Sequence, residues 1–160
     1  MNRKRKTWVV LAGLVAVCLG VGALGSWATA LAPTGWYETL AKPGWTPPTW
    51  VFAPVWTVLY VTMAVSAWLV WRKDARFSGV RIALILFAVQ LLLNGLWPFL
   101  FFGLQSPGLA LIGIALLWLT LALTLYAFLN LSRMAGTLLV PYLLWTSLSV
   151  LLNFAVWWLN

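Results

Sequence analysis

Apolar residues in this chain neither alternate with polar ones nor form the narrow stripes of a surface helix; they persist for about twenty positions at a time. Five such runs cover residues 7–31, 49–71, 82–102, 108–129 and 137–159. Each is close to the roughly 20 residues an α-helix needs to cross a hydrocarbon core. The short alternating segments of a membrane β-barrel are absent. Backbone amides placed in lipid must then be satisfied within helices. The pattern predicts an all-α membrane protein, a five-transmembrane-helix bundle forming a single domain over residues 1–160. No internal repeat or linker interrupts it.

Composition agrees with this reading. Hydrophobic residues make up 64% of the chain and charged residues 8%, whereas a soluble domain carries about 25% charged residues. The first run has one competing interpretation. Arg3-Lys4-Arg5-Lys6 before it and Ala28-Thr29-Ala30 near its end are features of a cleaved signal peptide. The run is longer than a usual signal core, and cleavage would leave four helices, so a retained first helix is expected.

The net charge of +8 does not point to nucleic acid once the charges are placed. Arg3, Lys4, Arg5 and Lys6 precede the first helix, Arg72, Lys73, Arg76 and Arg81 lie between the second and third, and Arg133 lies between the fourth and fifth. All fall on one side of the bilayer, leaving Lys42 on the other. By the positive-inside rule the N-terminus is expected inside and the C-terminus outside, with contact to anionic headgroups as a modest addition.

Several chemistries are excluded by what is missing. There is no histidine, and the single cysteine, Cys18, allows no internal disulfide. The two acidic residues, Glu38 and Asp74, both fall in predicted loops, so neither a metal cluster nor an intramembrane proton relay can be assembled. No lysine lies within a helix. Ion pumps, retinal proteins and zinc proteases drop out together; a small hydrophobic-compound exporter stays as an alternative, although proton-driven exporters generally need an intramembrane carboxylate. No acid–base pair or activated nucleophile supports conventional catalysis.

Polar groups inside apolar helices are costly and mark contacts with other helices or a cavity. In the third helix Gln90, Asn94, Trp97 and Phe101 share a face; in the fifth, Tyr142, Trp145, Ser149 and Asn153 do; in the second, Phe52, Trp56, Tyr60 and Met63. Aromatic walls with a few amides and hydroxyls suit a flat, partly polar hydrophobic ligand. Helix packing alone produces the same stripes, and the pattern leaves both open. Small residues at spacing four, Ala12, Ala16 and Gly20, then Gly22, Ser26 and Ala30, permit close helix approach within one chain or between two. Pro54, Pro98 and Pro141 are expected to kink their helices or lie near the ends.

The long loop at residues 35–48 is rich in proline and tryptophan, so it is restrained and its rings could cover the bundle as a lid. It reads Trp36-Tyr37-x-x-Leu40-x-Lys42-Pro43-x-Trp45-x-Pro47-Pro48, followed by Phe52-x-Pro54-x-Trp56-Thr57-x-Leu59-Tyr60. Together with Gln90-x-x-x-Asn94-x-x-Trp97, Phe101-Phe102-Gly103, Pro141-Tyr142-x-x-Trp145 and Leu152-Asn153, this resembles the TspO family, also called the translocator protein or peripheral benzodiazepine receptor family.

The resemblance implies a ligand cavity under the first loop, frequently in a homodimer, that binds porphyrins such as protoporphyrin IX and also benzodiazepine-type ligands. Carried over by motif, Trp56, Tyr60 and Trp145 would line the cavity, Asn94 would supply a polar contact, Ser149 would keep one wall open, and Trp36 and Trp45 would belong to the lid. Gln90, Trp97, Tyr142 and Asn153 join them as candidate ligand-binding residues from the stripes. The animal cholesterol motif, an aromatic followed by a basic residue, is missing from residues 153–160. A microbial tetrapyrrole fits better, and a bacterial membrane is the expected location. The expected role is a porphyrin-binding translocator or sensor, with no cofactor required and the lipid bilayer as its partner. The competing role is light- and oxygen-dependent porphyrin degradation, in which Trp56 and Trp145 would take part. Lys42 is expected near a ligand propionate.

Overall fold

The computed structural model describes residues 3–73 and 78–160. The expectations placed on Asp74 and Arg76, and on the side chains of residues 3–6, lie outside the described residues. The helices are α1 (Arg3–Thr29), α2 (Trp36–Thr39), α3 (Thr49–Trp71), α4 (Ser78–Pro98), α5 (Pro107–Leu131) and α6 (Arg133–Leu159), with a π-helical turn at Phe99–Gly103 after α4. Five segments are long and apolar enough to cross a membrane: Thr7–Thr29, Thr49–Trp71, Ser78–Gly103, Pro107–Leu131 and Arg133–Leu159. The chain is an integral, multi-pass membrane protein.

Local chemistry sets the ends of these helices. Pro48 precedes α3 in extended conformation, and Pro107 opens α5, where its missing N–H costs nothing. Ser106 and Ser132 are N-caps whose hydroxyls accept from the amides of Leu109 and Ala135, each at 3.4 Å. Ser132 corrects one expected boundary. Residues 130–136 carry enough polar groups to suggest a loop, yet a single extended residue separates α5 from α6.

That tight reversal rests on Gly136, which packs directly on the Leu129 side chain. A Cβ at Gly136 would also stand 2.9 Å from the Leu129 Cα, which is backbone and cannot swing aside. Gly136→Ala is therefore expected to cost about 1.5 kcal/mol. Equilibrium unfolding in mixed detergent micelles would check it, and an unchanged midpoint would show that the reversal can relax.

Pro98 is the last residue of α4, as a position near a helix end was expected to be, but the chain does not leave the helical path there. The chain continues through the π turn, closed by the amide of Leu104 donating to the Phe99 carbonyl at 2.8 Å, and reverses at Gln105, whose φ is 50°. Pro54 and Pro141 lie inside α3 and α6.

Helix α5 packs between α4 and α6, α3 lies against α6, and α1 lies across α3 and α4. At the end of the bundle remote from the residue 35–48 loop the interior is fully packed. Met63, Ala67, Phe87, Leu121, Phe128 and Leu139 are buried there, and the Phe87 and Phe128 rings stack at 6.1 Å. The Trp8 and Trp68 rings stack at 5.9 Å, and Trp68 Nε1 donates to the Thr7 carbonyl at 2.9 Å, joining α1 to α3. Arg72 lies 4.7 Å over the Trp68 ring. Arg72, Arg81 and Arg133 belong to this end, and Lys42 to the other.

Candidate ligand cavity

Towards the loop the helices enclose a cavity of about 700 Å³. Phe52, Trp56 and Tyr60 of α3 form one wall. Ser149, Leu152 and Asn153 of α6 face it, and Asn94 and Trp97 of α4 close the side, helped by Ile114 and Leu117 of α5. A third wall is α1, through Gly22, Ala23, Gly25, Ser26 and Thr29.

The floor, Tyr60 and Asn94, rests on a chain of buried hydrogen bonds. Tyr60 donates its hydroxyl to Asn94 Oδ1 at 2.6 Å, Asn94 Nδ2 donates to the Tyr142 oxygen at 2.7 Å, and Tyr142 donates to Gln90 Oε1 at 2.9 Å. Gln90 Nε2 ends the chain 3.9 Å from the Met63 sulfur. Asn94 thus sits between two tyrosines with its amide orientation set by both. Its second N–H is uncommitted by these bonds, since an amide nitrogen carries two.

The cavity hydroxyls are spent differently. Ser149 donates to the Trp145 carbonyl at 2.9 Å, Thr57 to Ala53 at 2.8 Å, and Ser26 and Thr29 to Gly22 and Gly25 at 3.1 and 3.0 Å. Each turns its proton back to its own helix and leaves lone pairs for the cavity, which lets hydroxyls line an apolar space cheaply.

Residues 32–38 form the roof. Gly35 takes φ 83°, a left-handed conformation that glycine adopts without strain, and so starts the short helix α2. That helix corrects the expected position of Glu38, which belongs to helix rather than irregular loop. The rings of Trp36 and Tyr37 then rest on the π turn: Trp36 lies 5.7 Å from Phe101, and Tyr37 5.8 Å from Phe102. Tyr37 and Glu38 line the cavity. Burial, followed by the Glu38 carboxylate, holds the Tyr37 phenol above its ordinary pKa, so it remains neutral.

The TspO/MBR family model matches residues 14–159. The tryptophan-rich protein TspO of Chlorobaculum tepidum is 43% identical over 155 residues, covering 97% of this chain and 98% of its own. The chain belongs to the TspO/MBR family. The tryptophan-rich sensory protein of Cereibacter sphaeroides is 39% identical over 96% of this chain and 92% of its own, and the human translocator protein 41% over 76% and 73%.

Within this TspO/MBR bundle the candidate residues separate by position. Trp56, Tyr60, Asn94, Trp97, Ser149 and Asn153 line the cavity. Trp97 is also held in place, because its Nε1 donates to Asn153 Oδ1 at 2.9 Å while Asn153 Nδ2 donates to the Pro107 carbonyl at 2.8 Å. Gln90 and Tyr142 lie beneath the floor, one turn deeper than the residues they support. Trp145 stands behind Phe52, with ring centroids 5.6 Å apart. Its Nε1 is the one buried side-chain polar atom among the described residues without a hydrogen-bond partner. Trp36 grips the roof from above the π turn, and Trp45 is half exposed beyond it.

Lys42 is occupied elsewhere. Its ammonium donates to the carbonyls of Tyr37, Leu40 (3.1 Å) and Glu38 (3.5 Å) and lies 4.5 Å over the Tyr37 ring, closing the end of α2. Lys42 is not among the residues lining the cavity, and the charged side chain at the roof is Glu38.

The wall that sequence reasoning missed is α1. Gly22, Gly25, Ser26 and Thr29 follow helical spacing, so the signal was present, but small residues at that spacing read equally well as a packing face.

Proposed function

We propose that this protein binds flat, hydrophobic, partly polar molecules of the tetrapyrrole class in the cavity beneath the residue 35–48 loop, and serves as their membrane translocator or sensor. The observation that carries the reading is the combination of aromatic walls, Trp56, Tyr60, Trp97 and Phe52, with two oriented amides, Asn94 and Asn153, in a space of about 700 Å³. That volume lies within the usual range for small-molecule sites. Benzodiazepine-type compounds share this flat, mostly apolar shape and are a second ligand class for the same space. Stacking on indole and phenol faces supplies most of the contact area. The macrocycle's carboxylates would lie towards the loop end, away from the apolar floor.

Titration of detergent-purified protein with protoporphyrin IX in the dark, followed by tryptophan quenching, tests the reading. Saturable binding is expected, weakened about fivefold in Ser149→Phe, whose ring would occupy part of the cavity. Binding that fails to saturate in intact, monodisperse protein would remove the proposal. An unchanged affinity in Ser149→Phe would place the ligand elsewhere on the molecule.

A further inference from the structure

The roof is tied to a residue far from it in sequence. Asn160, which caps α6, forms a reciprocal pair with the backbone of Ala41: its Oδ1 accepts from the Ala41 amide at 3.0 Å, and its Nδ2 donates to the Ala41 carbonyl at 3.1 Å. The second N–H of the same amide donates to the Val156 carbonyl at 2.8 Å, which fixes the side chain against its own helix. Both N–H groups and the oxygen of one carboxamide are engaged, two of the bonds joining α6 to the loop and the third holding the side chain to α6.

The tie continues inward. Lys42, next to Ala41, closes the end of α2 through the carbonyls of Tyr37, Glu38 and Leu40. Tyr37 lines the cavity and rests on Phe101 and Phe102. An unbroken series of contacts therefore runs from Asn160 through Ala41 and Lys42 to Tyr37. The two halves of the loop differ in task. Residues 32–38 cover the cavity, and residues 40–42 fasten that cover to the end of α6.

We infer that Asn160 is the latch of the roof, a positioning residue whose release from Ala41 frees the loop and opens the cavity. Trp36, Tyr37 and Leu40 anchor the roof on the cluster around Phe101 and Val156, whereas Ala41, Glu38 and Trp45 are exposed; on that exposed side the Asn160 pair is the tie between loop and helix. A carboxamide is needed because the contact takes donors and an acceptor at once. Aspartate keeps the acceptor but loses both donors, and leucine loses everything. The consequence for ligand exchange rests on the proposed tetrapyrrole function; the latch itself does not.

Hydrogen exchange on ligand-free protein in detergent, read by mass spectrometry, tests it without any ligand. Asn160→Leu and Asn160→Asp are both expected to speed exchange of the amides in residues 35–46 roughly tenfold, the loss of about two modest hydrogen bonds. Exchange within α3 and α4 should stay at the wild-type rate, and so should the loop in Asn130→Leu, a control at the far end of α5. Wild-type exchange of the loop in both Asn160 variants would overturn the inference. So would acceleration that spreads through α6, since it would mean that Asn160 stabilises the helix and not the roof. Should protoporphyrin IX fail to bind, these exchange rates would be unaffected and the two proposals would part.

Discussion

Replacing Asn94 with leucine is expected to lower stability by about 3 kcal/mol and to weaken protoporphyrin binding at least about tenfold. The substitution keeps the branched shape and the number of heavy side-chain atoms, so most of the loss comes from polarity. Asn94 accepts from Tyr60 and donates to Tyr142, at 2.6 and 2.7 Å, and all three side chains are buried. With leucine in place, the Tyr60 hydroxyl keeps a proton without an acceptor, which costs more than the bond itself contributed. Tyr60 also forms the cavity floor, so its reorientation changes the surface that a ligand meets. Equilibrium unfolding in mixed micelles measures the first effect and fluorescence quenching the second. A double-mutant cycle with Tyr142→Phe should show strong coupling, because both substitutions break one chain. A stability change below about 0.5 kcal/mol would show that the chain contributes little.

The second large effect is expected at Gly22. A Cβ there would lie 2.6 Å from Tyr60 Cε2 and 2.8 Å from Cδ2. The ring has little freedom to retreat, since its hydroxyl is bonded to Asn94 and its face lies 5.7 Å from Trp56. Gly22→Leu must either drive α1 away from α3 or push Tyr60 into the cavity. Both cost packing, by about 3 kcal/mol, and both spoil the ligand space. Gly13 provides the comparison, because a Cβ at that position meets nothing within 4 Å. Gly13→Leu should be neutral or slightly stabilising, as removal of a helix-interior glycine usually is. If Gly22→Leu unfolded and bound porphyrin as Gly13→Leu does, α1 would not be a wall of the site.

These two predictions also divide what was legible in the sequence from what was not. The stripe through Asn94 was visible as helical spacing, and so was its partner face on α6. Depth along the helix was not. Gln90 and Tyr142 share the faces of Asn94 and Ser149, yet they lie below the floor, because periodicity reports direction around a helix axis and not where a cavity stops. Trp145 has the right face as well, but Phe52 stands in front of it. Gly22 and Ser26 were legible only as small residues at regular spacing. Such residues make room, and sequence does not say whether a neighbouring helix or a void takes that room.

Sequence by itself determined that lipid is the solvent, that five helices cross it, which faces of three of them carry polar groups, and which family the chain resembles. Those features follow from composition and from the near-constant rise and twist of an α-helix, which are local properties. Tertiary structure alone decided that the helix winds as a π turn after Pro98, that Lys42 closes α2, and that Asn160 meets Ala41. Each depends on two segments distant in sequence arriving at the same place. No spacing rule within either segment records the other's position, so such contacts are fixed when the helices pack.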